Sequence, residues 1–162
     1  MISVALFAAP TAKQIPNVAQ HPSEGYFPLS ASTGAAAIYT DKNDFAVVGI
    51  AARMLAEDVL RVTGQQPELT TKADAPKVPT VVAGTLGKSK TIDQLVKSLK
   101  IDVSSIAGKW ESYIITTAQH PKTAAQLLIV IGSDRRGTAF GLTSLSEAIG
   151  VSPWYWWADV TI

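Results

Sequence analysis

The chain has 162 residues, 47% hydrophobic and 17% charged, enough apolar material for one packed domain and the wrong balance for a disordered one. Its 14 basic and 13 acidic residues leave a formal charge of +1, so no electrostatic footprint for nucleic acid or an anionic membrane is expected. It has no cysteine, which excludes disulfides, zinc–thiolate sites and cysteine nucleophiles.

The chain opens on an apolar stretch, Ile2 to Pro10, far shorter than the roughly 20 residues of a membrane helix. Small residues at and after its end (Ala8, Ala9, Ala12) suit a signal remnant. The lack of a basic segment before it suits a short strand or a disordered arm equally. Residues 11–31, rich in Pro, Ser and Gln and without a period, read as an extended lead-in, so 1–30 is set apart from the domain proper at 31–152.

Ala35 to Tyr39, following Gly34, reads as a strand. Phe45, Val48, Ala52, Leu55, Val59 and Val62 then recur at spacings of three and four, which predicts a helix near 44–63. Asp41 or Asn43 can cap its start, and Gly64 sits where a left-handed residue closes a helix. Arg53, Glu57 and Arg61 can pair along the outer face. Gln66 to Thr70 reads as a short edge strand, since Pro67 suits only an edge. Val78, Val81 and Val82 mark a buried strand ending at Gly84. Ser89 caps a predicted helix near 90–99, with Ile92, Leu95, Val96 and Leu99 inward. Tyr113–Thr117 and Leu127–Ile131 are two more strands. The link between them, with His120 and Pro121, is too short for a helical crossover and predicts an antiparallel pair. A last helix near 136–149 turns Leu142, Leu145 and Ile149 inward and ends at Gly150. The pattern β-α-β-β-α-β-β-α defines an α/β fold, a small mixed sheet covered by about three helices.

The chemistry-bearing motifs fail. Gly84-Thr85-Leu86-Gly87-Lys88-Ser89 looks like a phosphate loop, but the first glycine of that pattern falls on Val82. Gly132-Ser133-Asp134-Arg135-Arg136-Gly137 follows a strand and opens a helix, but a dinucleotide fingerprint needs glycine where Asp134 stands. Asp134 is expected to cap that helix, with an arginine beside it in an ion pair, and Gly137 and Gly141 to let the helix approach the sheet. His21 and His120 lie beside prolines in loop sequence without a partner at metal-ligand spacing, so no metal site is expected. Glu57 and Asp58 diverge on their helix, and no serine sits in a nucleophile elbow. No catalytic residue and no cofactor is assigned to this chain.

The C-terminal stretch Val151-Ser-Pro-Trp-Tyr-Trp-Trp-Ala-Asp-Val160 holds Trp154, Tyr155, Trp156 and Trp157. It suits either a segment packed on the domain's own core or an aromatic surface for a sugar or a neighbouring domain. Together with Gly132–Thr138 and Leu145–Val160, the stretches Asp58–Gly64, Gly84–Ser89 and Gly108-Lys-Trp-Glu-Ser-Tyr113 resemble the N-terminal region of glycoside hydrolase family 115. The resemblance runs from about Phe27 to the end of the chain.

Members of that family are xylan α-1,2-glucuronidases. They release glucuronic acid or its 4-O-methyl ether from glucuronoxylan with inversion, and an α/β domain precedes their catalytic barrel. The resemblance implies a non-catalytic accessory domain of a secreted or periplasmic enzyme, inactive alone. Its partners would be a catalytic barrel beyond Ile162, reached through an aromatic linker at 153–162, and glucuronoxylan by way of the whole enzyme. Trp154, Trp156 and Arg136 are the candidate substrate-binding residues. The rival readings are an independent carbohydrate-binding module and a purely structural domain of another glycosidase.

Overall fold

The computed structural model describes residues 2–5, 17–19, 26–72 and 75–152. In chain order the elements are β1 (Ile2–Ala5), β2 (Asn17–Ala19), β3 (Phe27–Ala31), β4 (Gly34–Ala35), β5 (Ala37–Thr40), α1 (Ala46–Thr63), β6 (Leu69–Thr70), β7 (Thr80–Thr85), α2 (Lys90–Leu99), β8 (Tyr113–Gln119), β9 (Gln126–Gly132) and α3 (Arg135–Ala148). The mixed sheet has five strands in the order β6-β5-β7-β9-β8. Its pairs are parallel except β8 on β9, which is antiparallel as the short link requires.

Alternation along each strand sorts the core onto two faces. Ile38, Val81, Leu128 and Val130 pack with Val48, Leu55, Val59, Leu142 and Leu145 of α1 and α3. Tyr39, Val82, Leu127, Ile129 and Ile131 pack with Ile92 and Leu95 of α2. The helical stripe read from Val48 to Val59 is thus the buried face of α1. Gly64 closes it in the left-handed conformation, its N–H on the Leu60 carbonyl. Arg61 pairs along the helix with Glu57 at 3.8 Å and more closely with Asp58 at 3.1 Å.

Two expectations need correction. Neither Asp41 nor Asn43 caps α1: the N-cap is Phe45, without a side-chain capping bond. Asp41 and Asp44 instead accept hydrogen bonds across the end of the sheet, as described below. The lead-in at 11–31 also contains more structure than its composition indicates. β1, β2, β3 and β4 form a second, antiparallel sheet ordered β2-β1-β3-β4. Phe27 and Leu29 of β3 are fully buried in the core shared with α1 and α3. Pro28 hid this strand, because proline argues against an inner strand. The structure places it opposite Ser3, where the register with β1 shifts. Buried Ser30 donates to Gln65 Oε1 at 2.8 Å, and Gln65 Nε2 returns a bond to the Ala31 carbonyl at 2.9 Å. These bonds tie β3 to the segment just after α1.

Candidate functional site

In an open α/β sheet the place to look for a ligand is the crevice at the carboxyl ends of adjacent strands whose helices leave to opposite faces. Here it lies between β5 and β7, since α1 covers one face and α2 the other. The chain fills this crevice with its own carboxylates. Asp44 accepts from the Phe45 N–H at 2.7 Å and the Thr85 N–H at 2.8 Å. Asp41 accepts from the Asn43 N–H at 3.0 Å and the Lys90 N–H, at the start of α2, at 3.1 Å. Asp93 takes the Gly87 N–H at 2.9 Å, and Ser89 caps α2 by accepting from Ile92. The N–H groups of Leu86, Lys88 and Ser89 bind backbone carbonyls. From Thr85 to Lys90 every backbone N–H therefore already has an acceptor in the protein. A phosphate loop works by offering such groups free. This turn is closed, as its failed motif indicates. Gly84 has a packing reason: a Cβ there would lie 2.6 Å from the Ser89 Cβ.

The turn after β9 has the same design. Asp134 is the N-cap of α3, accepting from the Gly137 N–H at 2.7 Å, and its other oxygen accepts from the Glu111 N–H at 3.0 Å. The Gly137 bond is the main cause holding the Asp134 carboxyl below the usual carboxylate range. Partial burial opposes it, and the Glu111 and Arg136 N–H groups and the Arg136 charge add to it. Arg136 pairs with Glu111 at 2.9 Å and lies over the Phe140 ring at 5.8 Å. The expected cap and ion pair are both present. Gly141 abuts the sheet, since a Cβ there would lie 2.5 Å from Val130 Cγ1.

A general acid needs a raised pKa and a general base must face it across a cleft. The carboxylates that shift, Asp102 and Asp134, move downward, Asp102 chiefly through the Ser104 N–H. Two shallow recesses run along β8, one beside Phe27 and one beside Leu99. Asp102 is the one carboxylate lining either. No group of three or more His, Asp or Glu side chains among the described residues could hold a metal, and no buried side-chain polar atom there lacks a partner. Of the candidate sugar-binding residues, Arg136 is half-exposed at the end of the sheet, while Trp154 and Trp156 lie outside the described residues. Sequence reasoning passed over Trp110, which is 82% exposed in the loop before β8. Its signal is a large aromatic outside any periodic element, among Lys109, Glu111 and Ser112.

The described residues define an α/β domain whose crevice is filled by its own carboxylates. No protein-family model matches the sequence, and no curated protein does. Among solved structures the chain is similar to a family GH115 4-O-methyl-α-glucuronidase with specificity for decorated arabinogalactans. The two share 30% identity over 78% of this chain, with a TM-score of 0.61. This likeness is consistent with a domain of glycoside hydrolase family 115. The chain spans 15% of the length of that solved relative.

Proposed function

We propose that the chain is the N-terminal, non-catalytic domain of an exported α-glucuronidase, whose catalytic carboxylates lie in another part of the same polypeptide. The observation that carries this reading is the pairing of 30% identity across most of this chain with a span of only 15% of the relative. The closed crevice supports it from the chemical side. Asp41, Asp44, Asp93 and Asp134 are committed to backbone N–H groups and Glu111 to Arg136, so they are poor candidates for a working acid and base. The substrate we assign to the whole enzyme is glucuronoxylan, from which it releases glucuronic acid or its 4-O-methyl ether.

The test is product release. Aldouronic acids, glucuronoxylan and a uronate-decorated arabinogalactan are each incubated with this chain and with the longer polypeptide. This chain should release no glucuronic acid above a heat-killed control. The longer polypeptide should release it, from xylan first. Release by this chain alone would overturn the non-catalytic role, and release from arabinogalactan only would overturn the substrate.

A further inference from the structure

The loop before β8 is fixed by more contacts than a surface loop needs, yet its largest side chain is left uncovered. Trp110, at 82%, is the most exposed large hydrophobic residue among those described. Its neighbour Glu111 has φ +54, a conformation that residues with a Cβ rarely adopt. Four bonds hold it there. The Glu111 N–H donates to Asp134, and its carboxylate pairs with Arg136. The Ser112 N–H donates to Ser133 Oγ at 3.1 Å, and the Ser133 N–H returns to the Ser112 carbonyl at 2.8 Å. Gly137 lies so close that a Cβ would stand 2.2 Å from the Ser112 oxygen. The stretches 108–113 and 132–138, both of which carry the family resemblance, thus lock together and present the indole in a set position. Beside them Arg136 covers one side of Phe140, itself 40% exposed.

We infer that Trp110, Arg136 and Phe140 form a docking site for the remainder of the same glycosidase polypeptide. This rests on reading the chain as one domain of a larger enzyme. Three observations carry it. The chain spans 15% of its solved relative, so most of that protein lies outside the matched part. Trp and Arg are the residues that dominate protein–protein contacts when pre-positioned at their centre. Finally, the Glu111, Ser112 and Asp134 side chains next to the indole are already engaged. The Glu111 carboxylate is held by Arg136, Ser112 Oγ donates to the Trp110 carbonyl at 2.9 Å, and both Asp134 oxygens accept backbone N–H groups. A sugar stacked on the ring would find little left there for its hydroxyls. An apolar pocket with one acceptor for the indole N–H and another for the guanidinium fits better.

Residue-resolved oxidative footprinting tests this on the chain alone and on the longer polypeptide. Trp110 should oxidise rapidly in the chain alone and about tenfold more slowly in the longer protein, as for the desolvated centre of an interface. Met54, 49% exposed on α1, gives the reference rate. A W110A variant should leave the melting of this chain unchanged and should separate the single transition of the longer protein into two. Equal Trp110 reactivity in both proteins, with no effect of W110A on the longer one, would overturn the inference. So would protection that appears only when xylan oligosaccharide is added, which would make the ring a sugar platform. If the longer polypeptide proves to be no glucuronidase while Trp110 is still protected, the functional reading fails and the docking site stands.

Discussion

Replacing Asp134 by alanine removes one side chain that serves two elements, and the structure sets the size of the effect. Its first oxygen satisfies the Gly137 N–H at the start of α3. Loss of such a cap costs about 0.5–2 kcal/mol. Its second oxygen satisfies the Glu111 N–H in a half-exposed loop, where water can partly substitute. That places the loss near an ordinary net hydrogen bond, about 1 kcal/mol. Freed of this contact, Glu111 can leave its left-handed conformation and recover about 1 kcal/mol of strain. The net destabilisation should be about 0.5–2 kcal/mol, a fall in Tm of roughly 1–8 °C for a chain of this size. Asn accepts at the Gly137 N–H but loses the charge, so Asp134→Asn should cost less than half as much.

The sign of the pH dependence follows from the depressed pKa. Its contribution is fully present above the unfolded carboxyl value near ~4 and is lost as pH falls through the lower folded value. The Tm gap between wild type and Asp134→Asn should therefore be constant from pH 7 to pH 5 and close as pH drops toward 3. Calorimetry across that range decides the matter. A gap independent of pH, or an alanine variant as stable as wild type, would refute the reasoning.

The other predictions concern packing and the closed crevice. Gly49 in α1 has open space where a Cβ would go, so Gly49→Ala should stabilise by about 0.5–1 kcal/mol through helix propensity, read as a raised Tm. Gly137→Ala should lower Tm despite the same propensity gain, because the new Cβ would meet the Ser112 carbonyl oxygen. Asp44→Ala leaves the N–H of buried Thr85 without its acceptor and should cost about 1–3 kcal/mol by chemical denaturation, whereas Asp44→Asn should cost less. In the wild type, millimolar ATP or NAD should shift Tm by less than about 1 °C, since a ligand that does not bind the folded state cannot stabilise it.

How far the sequence could be read depended on which signals were periodic. α1, with its stripe from Val48 to Val59, and the β8–β9 pair were legible because burial repeats at fixed spacing and a short link forbids a crossover. β3 was not, because its signal is two apolar residues around a proline, and the bulge that accommodates Pro28 depends on a partner strand far away in sequence. The cap of α1 was misplaced for a related reason. Asp41 and Asp44 had the chemistry of local caps, and only the topology brings the ends of β7 and α2 within their reach. Asp134 was legible because its main partner, Gly137, is three residues away. Trp110 was passed over because nothing local distinguishes an exposed ring from a buried one.

The carboxylates in the turns after β5 and β9 also bear on what the end of this sheet is for. In a nucleotide-binding α/β domain the loops after the strands leave N–H groups free and gain their order when an anion arrives. Here Asp44, Asp41 and Asp134 take up N–H groups that such an anion would bind. Carboxylates built into the chain cannot leave, and the turns they brace are fixed. Fixity would have no consequence if the loops presented only solvated polar groups. The loop pinned by Asp134 carries Trp110, the largest uncovered apolar side chain among the described residues. Ordering that loop in advance removes an entropy cost that a partner would otherwise meet on docking. On the docking proposal, the carboxyl end of the sheet keeps its usual place as the binding end, with the specificity moved from backbone N–H groups to an indole and a guanidinium.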